Sequence, residues 1–303
     1  SLYGTRDAAF NWTEEVAKFM KKSGFVRGIY NPCLYYHPTK DMETLVHGDD
    51  FASTAGYSEL RWFKRQLEDR FKIKTKTIGR GGEAVKEARI LNRIIRCTED
   101  GWGYEPDQRH AELIVKELGL EEAKSATTPG DKLKDHERDD VELDKAKATH
   151  YRQVGARANY LAQDRPDIMF AVKEICRDMS KPTGSSWIKL KRLGRYLVDK
   201  VRCVVYYPWQ GEESRIEGYT DSDWGGCART GLSTSGGMLR IGEHWIKSWS
   251  KTQPSVTLSS AEAELVAMSK ATAEILGICS MARDLGYTCL LYTSDAADEE
   301  DSV

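Results

Sequence analysis

The sequence predicts an α+β protein, and three observations carry that reading. Short apolar, β-prone runs are interleaved with longer stretches of helical apolar spacing, so neither pattern fills the chain. At 303 residues the chain suggests two domains, at most three, and 40% hydrophobic residues suffice for packed cores. Towards the end, three strand-like runs (216–221, 236–241 and 245–250) precede one long helical stretch over 260–285.

Taken in order, an amphipathic helix is expected from Asn11, with Val16, Phe19 and Met20 inward and Gly24 ending it. Residues 33–36 and 43–46 read as the arms of a β-hairpin around Pro38-Thr39-Lys40-Asp41. His47-Gly48-Asp49-Asp50-Phe51 follows. Neighbouring strand residues point to opposite faces, so Asp49 and Asp50 can serve one site only at a tight turn, which Gly48 permits. The competing reading is an acidic surface turn. Ser58 is expected to cap a helix with Leu60, Phe63, Leu67 and Phe71 inward and basic residues on its other face. Residues 90–97, the turn Glu99-Asp100-Gly101 and residues 102–104 read as a hairpin, and Pro106 opens a helix through Leu118 and Gly119. Residues 126–148, with Pro129-Gly130 and Asp139-Asp140, read as a charged, turn-rich connector. Ser186 is expected to cap a helix to Leu197, with Trp187, Leu190, Leu193 and Leu197 as core.

The strongest chemical signal is Gly218-Tyr-Thr-Asp-Ser-Asp-Trp-Gly-Gly226. If the strand continues, Asp221 and Asp223 share one face; if it ends at Asp221, Asp223 lies in the following turn. Paired acids at a strand end suit a hard divalent cation, although an Asp-rich turn has the same composition. In Ser259-Ser260-Ala261-Glu262-Ala263-Glu264-Leu265, Ser259 and Glu262 fit a capping box. Glu264 has no such role; Leu265 and Met268 are expected on the apolar side of its helix.

These motifs resemble copia-type retrotransposon Pol polyproteins. The family's ribonuclease H domain carries Tyr-Thr/Ser-Asp-x-Asp-Trp, Ser-Thr-Ser-Gly, Trp-x-Ser and Leu-Ser-Ser-x-Glu-Ala-Glu. Here Tyr219 to Trp224, Ser233 to Gly236, Trp249 to Lys251 and Leu258 to Glu264 stand in that order. Residues 1–12 are similar to the family's Leu-Tyr-Gly-Leu-Lys-Gln-Ala-Pro-Arg-Ala-Trp segment, with Thr5, Arg6, Asp7 and Ala9 as departures. His47-Gly48-Asp49-Asp50 resembles Tyr-Val-Asp-Asp of the polymerase palm, Ile90 to Ile94 replaces the Phe-Leu-Gly-Ile strand, and Arg165-Pro166-Asp167-Ile168 matches a motif between polymerase and nuclease.

The resemblance implies a partial polymerase palm and thumb over 1–125, a linker over 126–149, a helical connection over 150–212 and a truncated ribonuclease H-like domain over 213–287. It places catalytic metal ligands at Asp49, Asp50, Asp221 and Glu264, holding Mg2+ or Mn2+. It implies RNA template, RNA–DNA hybrid, deoxynucleotides and the rest of the polyprotein as partners. The location expected is a cytoplasmic virus-like particle, or the nucleus. The alternative is an inactive remnant that at most binds nucleic acid.

With 45 basic and 47 acidic residues, net charge says nothing about nucleic acid, but local charge does. Residues 61–80 hold eight Lys/Arg against two acids and residues 173–202 hold nine against three, which suits phosphate binding or a solvated helix face. Seven scattered cysteines without a Cys-x-x-Cys pair disfavour zinc and disulfides and suit a reducing compartment. No apolar run approaches ~18 residues, so no membrane partner is expected. The chain starts with Ser1, as a piece of a longer reading frame would. Residues 289–299 resemble a translated sequencing adapter, so 288–303 is expected to lie outside the fold. The first nuclease strand is then expected to be an edge, with Asp221 and Glu264 close together but unable to cleave RNA.

Overall fold

The computed structural model describes residues 5, 7–131, 138–211, 215–227, 229–287 and 291–296, the last by backbone alone. Residues 1–4 and 6 of the motif segment over 1–12 lie outside the described residues. The described residues form three four-stranded sheets and a helical layer.

The first sheet is an antiparallel meander of β1 (Val26–Arg27), β2 (Leu34–His37), β3 (Met42–His47) and β4 (Asp50–Thr54). Helices α1 (Ala8–Lys22) and α2 (Tyr57–Arg70) supply its core: Val16, Phe19 and Met20 pack with Phe25, Tyr35, Met42, Phe63 and Leu67. The helix expected after Asn11 begins three residues earlier. Gly24 ends it at φ +94°, a left-handed value that favours glycine. Ser58 is not the cap of α2. Gly56 holds that position, and Ser58 sits inside the first turn, donating to Glu59 Oε2 at 2.6 Å.

The second sheet joins β5 (Glu87–Ile90), β6 (Arg93–Cys97) and β7 (Gly101–Glu105) to β8 (Val205–Pro208), which returns from far along the chain. Residues 90–97 are therefore not one strand. Leu91 and Asn92 form a two-residue turn with φ of 47° and 66°, the type I′ pattern that matches strand twist.

Helices α3 (Gln108–Glu117), α4 (Lys145–Leu161), α5 (Met169–Arg177) and α6 (Gly184–Val198) share one core. Ile114, Val154, Ile168, Ile175, Leu190, Leu193 and Leu197 are buried in it. This core spans both sides of the charged stretch at 126–149, whose last residues already belong to α4 behind the cap Asp144. Asp107 caps α3, so Pro106 lies one residue before the cap instead of opening the helix. Thr183 caps α6, with Ser186 as its reciprocal partner in a capping box, so Ser186 is buried one turn inside the position expected of it. Arg165 is only 1% exposed; its guanidinium chelates Asp167 and donates to the Lys200 carbonyl at 2.9 Å, while Tyr196 donates to Asp167 at 2.9 Å. The Arg-Pro-Asp motif is thus a clamp that ties the end of α4 to the end of α6.

The third sheet has the order β11 (His244–Thr252), β10 (Thr234–Ile241), β9 (Arg215–Asp223), β12 (Leu291–Ala296). The β11–β10 and β10–β9 pairs are antiparallel and β12 runs parallel to β9 from Arg215 to Thr220. This corrects the expectation that β9 is an edge and that the tail stays out of the fold. Backbone pairing needs no particular side chains, so an unlikely sequence can still complete a ladder. Helix α7 (Ser260–Asp284) covers one face through Ala263, Ala267, Ala271 and Ile275. At Gly218 a Cβ would meet Ile275 at 2.9 Å, so glycine and alanine let helix and strand approach closely. Leu265, expected inward, lies off that stripe and is 62% exposed. By length and composition α7 could cross a membrane, with mean hydropathy 1.3 over an 18-residue window. This qualifies the membrane expectation: interspersed Ser, Thr and Gly break the apolar run without lowering the average much.

Candidate nucleic-acid and metal sites

Asp49 and Asp50 occupy the tip of the β3–β4 hairpin. His47 pairs with Asp50, leaving Gly48-Asp49 as a two-residue loop with Gly48 at φ +61°. Glycine at the first loop position with positive φ is the type II′ pattern. The residue that departs from the family's Val is thus the one whose backbone needs glycine. Among the described residues neither carboxylate has a side-chain hydrogen bond or ion pair, so both keep their lone pairs. Phe63 and Leu67 of α2 pack with Met42, Val46 and Phe51 of the hairpin, as expected of a helix lying beside it.

Both acids open into a groove of about 1180 Å³. Lys64, Lys74, Lys76 and Arg89 line it along with Tyr207 and His244 from later in the chain. Oxygen-only donors fit a hard cation such as Mg2+, which is commonly held by one or two carboxylates plus phosphate and water.

The second acid pair sits on β9. Ile216, Gly218, Thr220 and Ser222 alternate towards α7, so Asp221 and Asp223 share the opposite face. The strand continues through both, settling the open alternative. Their face lines a cleft of about 350 Å³ with Pro166, Met169, Phe170, Ser248 and Ser250. Asp223 accepts from the Thr234 amide, whereas Asp221 has no such partner among the described residues. Glu264 approaches the same end of β9 from the α7 side, accepting from the Ser222 amide at 3.0 Å and its hydroxyl at 2.7 Å. It is anchored one residue beyond Asp221, but on the other face. Among the described residues no three acids, cysteines or histidines cluster as a metal site. Ser259 caps the helix, as expected, but Glu262 accepts from the Leu258 amide at 2.6 Å rather than from that of Ser259, so the capping box does not close.

The basic stretches divide. In 173–202, Lys173 bonds Thr234, Arg177 bonds Glu174 and Cys227, and Lys189 bonds Asp178. Lys181 pairs with Glu142, Arg192 with Asp131 and Arg202 with Glu105. Burial pulls the Arg177 guanidinium down, but the Glu174 and Cys227 contacts outweigh it and leave it more basic than usual, and Arg202 is raised by its hydrogen bonds to Glu105. These cations mostly stitch the protein together instead of facing a polyanion. The first stretch instead supplies three groove lysines.

Two contacts have no local sequence signal. Trp12 donates its indole N–H to the Gly48 carbonyl at 2.7 Å. Asp284, ending α7, accepts from the amides of Ile29 at 2.8 Å and Asn31 at 2.6 Å, tying the third sheet's helix to the first sheet. Each joins residues far apart in sequence, which pattern reading does not reach.

An acid-tipped hairpin backed by helices, followed by a helical connection and a mostly antiparallel sheet covered by one long helix, is the order of elements that the sequence motifs lead one to expect of a Pol polyprotein fragment. No family model matches the chain. It is 28% identical over 94% of its length to the retrovirus-related Pol polyprotein from transposon RE2 of Arabidopsis thaliana. It is 32% identical over 55% of its length to the uncharacterized mitochondrial protein AtMg00810 of the same plant, spanning 68% of that protein. The fold is similar to that of a foamy viral protease–reverse transcriptase solved in complex with double-stranded DNA, with TM-score 0.50 and 12% identity, over 96% of this chain and 42% of that one. Its homologues are retrovirus-related Pol polyproteins of transposons. It spans about a fifth of the RE2 polyprotein (19%).

Proposed function

We propose that this chain is the part of a retrotransposon polyprotein that carries the palm's adjacent acids and the first elements of its ribonuclease H, acting in RNA-directed DNA synthesis and in hydrolysis of RNA within RNA–DNA hybrids. The observation that carries the reading is the placement of Asp49 and Asp50 at a tight hairpin turn, without protein partners among the described residues, facing a groove lined by lysines. In this reading Asp49 and Asp50 hold Mg2+ or Mn2+ against deoxynucleotide phosphates, and Asp221 and Glu264 serve the nuclease. When bound, such cations would activate the primer hydroxyl and steady the leaving pyrophosphate. Lys64, Lys74 and Lys76 would contact the nucleic-acid backbone, and the rest of the polyprotein would complete both acid sets. The location that fits is a cytoplasmic virus-like particle or the nucleus.

The test uses the full-length polyprotein of the source element. Asp49→Asn with Asp50→Asn is expected to abolish DNA synthesis and spare RNA cleavage. Asp221→Asn or Glu264→Gln is expected to do the reverse. Synthesis that survives the first pair would sink the reading.

A second reading, an inactive remnant that binds nucleic acid, is favoured by one observation: among the described residues the acids pair but never form a set of three. A full-length copy that binds hybrid but neither extends nor cleaves it would establish it.

A further inference from the structure

The hairpin that carries Asp49 and Asp50 is short, and its tip is exposed. Nothing in β3 or β4 by itself fixes the peptide plane before Asp49, because glycine at Gly48 is the most permissive residue for that plane. No side chain lies within 4 Å of where a Cβ would stand on Gly48, so crowding does not fix it either. What holds it is Trp12 in α1, whose indole N–H donates to the Gly48 carbonyl at 2.7 Å.

Trp12 is itself held. Its ring meets Phe71 edge-on, with centroids 5.4 Å apart at 65°. Phe71 in turn packs edge-on against Phe19 of α1 at 5.1 Å and meets Phe51 in a tilted contact at 6.1 Å. Phe51 directly follows Asp50. The residue before the acid pair and the residue after it are therefore both tied to one aromatic group, built from α1 and the end of α2. A hydrogen bond of that length from a ring locked by neighbouring rings sets a direction as well as a distance.

We propose that Trp12 is a positioning residue for the acid pair: its indole N–H fixes the Gly48–Asp49 peptide, and so the separation and direction of the Asp49 and Asp50 carboxylates. The proposal rests on the reading of these acids as a cation-holding pair. Trp12 touches neither cation nor substrate; it acts through the turn. A pre-set pair of carboxylates binds a cation without first ordering the loop, and that advantage is what loss of the bond removes.

The experiment uses the whole 303-residue chain. Trp12→Phe deletes the donor and keeps a ring against Phe71. Should that variant fold poorly, 3-benzothienylalanine at position 12 keeps the indole's shape and lacks only the N–H. Amide hydrogen exchange is measured at Asp49 and Asp50, with amides of Phe63 and Leu67 as the internal reference. Mn2+ binding is followed by the loss of free-ion paramagnetic resonance signal. The expected result is exchange at Asp49 and Asp50 at least tenfold faster with the reference amides unchanged, and a Mn2+ midpoint raised at least fivefold. Unchanged exchange at the turn in a folded donor-deleted variant would overturn the proposal, as would faster exchange with an unchanged midpoint. Wild-type chain whose Mn2+ binding ignores Asp49→Asn with Asp50→Asn would instead overturn the cation-pair reading. The exchange comparison would still decide whether Trp12 holds the turn.

Discussion

Ser222 gives Glu264 two hydrogen bonds, from its amide at 3.0 Å and its hydroxyl at 2.7 Å, and so fixes a helix carboxylate against the strand that carries Asp221. The arrangement gives Glu264, just past the first turn of α7, a role other than capping. Ser222→Ala removes one of the two bonds while the amide keeps the carboxylate in reach. We expect a loss of about 1 kcal/mol in stability, read from the urea midpoint. An unchanged midpoint would mean that water replaces the hydroxyl at no cost.

Arg165 offers a larger effect. It is buried, and its guanidinium is the ionic partner of Asp167. Arg165→Met is expected to cost about 3–5 kcal/mol, because it leaves a carboxylate without its partner. Arg165→Met with Asp167→Leu should recover part of that loss. A double variant no more stable than the single one would show that packing, not charge, dominates there.

Acid should destabilise the fold through its paired carboxylates. Glu105 is held below the usual range first by hydrogen bonds from Arg202, against a burial penalty. Burial pushes Asp167 up, but the Arg165 hydrogen bonds and charge outweigh it and leave it below its ordinary 3.8. A depressed folded value means that the stabilisation is present above the unfolded value and is lost as pH falls through the folded one. Urea midpoints should therefore be level from about pH 7 to 5 and drop below about pH 4. Arg202→Met should flatten that drop. The same acid slope in wild type and variant would contradict the assignment of Glu105.

The Leu91-Asn92 turn stores backbone strain, since Leu91 has φ 47°. Left-handed backbone costs a residue with a Cβ roughly 1–2 kcal/mol, so Leu91→Gly is expected to raise stability by up to about 1 kcal/mol after its entropic cost. A thermal scan with a lower midpoint would show that the Leu91 side chain contributes more than the turn loses.

The groove lysines should bind nucleic acid through phosphates. Lys74→Gln with Lys76→Gln is expected to weaken binding to all sequences about equally. The salt slope should fall by up to about 1.8, roughly 0.9 per phosphate contact. Fluorescence anisotropy against KCl concentration measures it. An unchanged slope would remove these lysines from the interface.

Much of this protein was legible in its sequence. Apolar periodicity located α1, α2 and α7, and glycine with adjacent acids located the turn at Asp49. These are local signals, because a turn or a helix face is decided by residues within a few positions of one another. Glycine permits the type II′ conformation at Gly48.

Tertiary structure decided the rest. Ser58 and Ser186 have the chemistry of caps, but each helix begins earlier, behind Gly56 and Thr183. Lys173 to Arg202 has the composition of a phosphate-binding stretch, yet most of its cations found acids and hydroxyls elsewhere in the chain. Leu265 faces away from the sheet because the inward stripe of α7 runs through Ala263, Ala267, Ala271 and Ile275. The Trp12–Gly48 bond, the Asp284 contact and the pairing of β12 with β9 depend on distances between remote segments. Local sequence sets what a residue can do; only the packing of distant segments sets which partner it meets first.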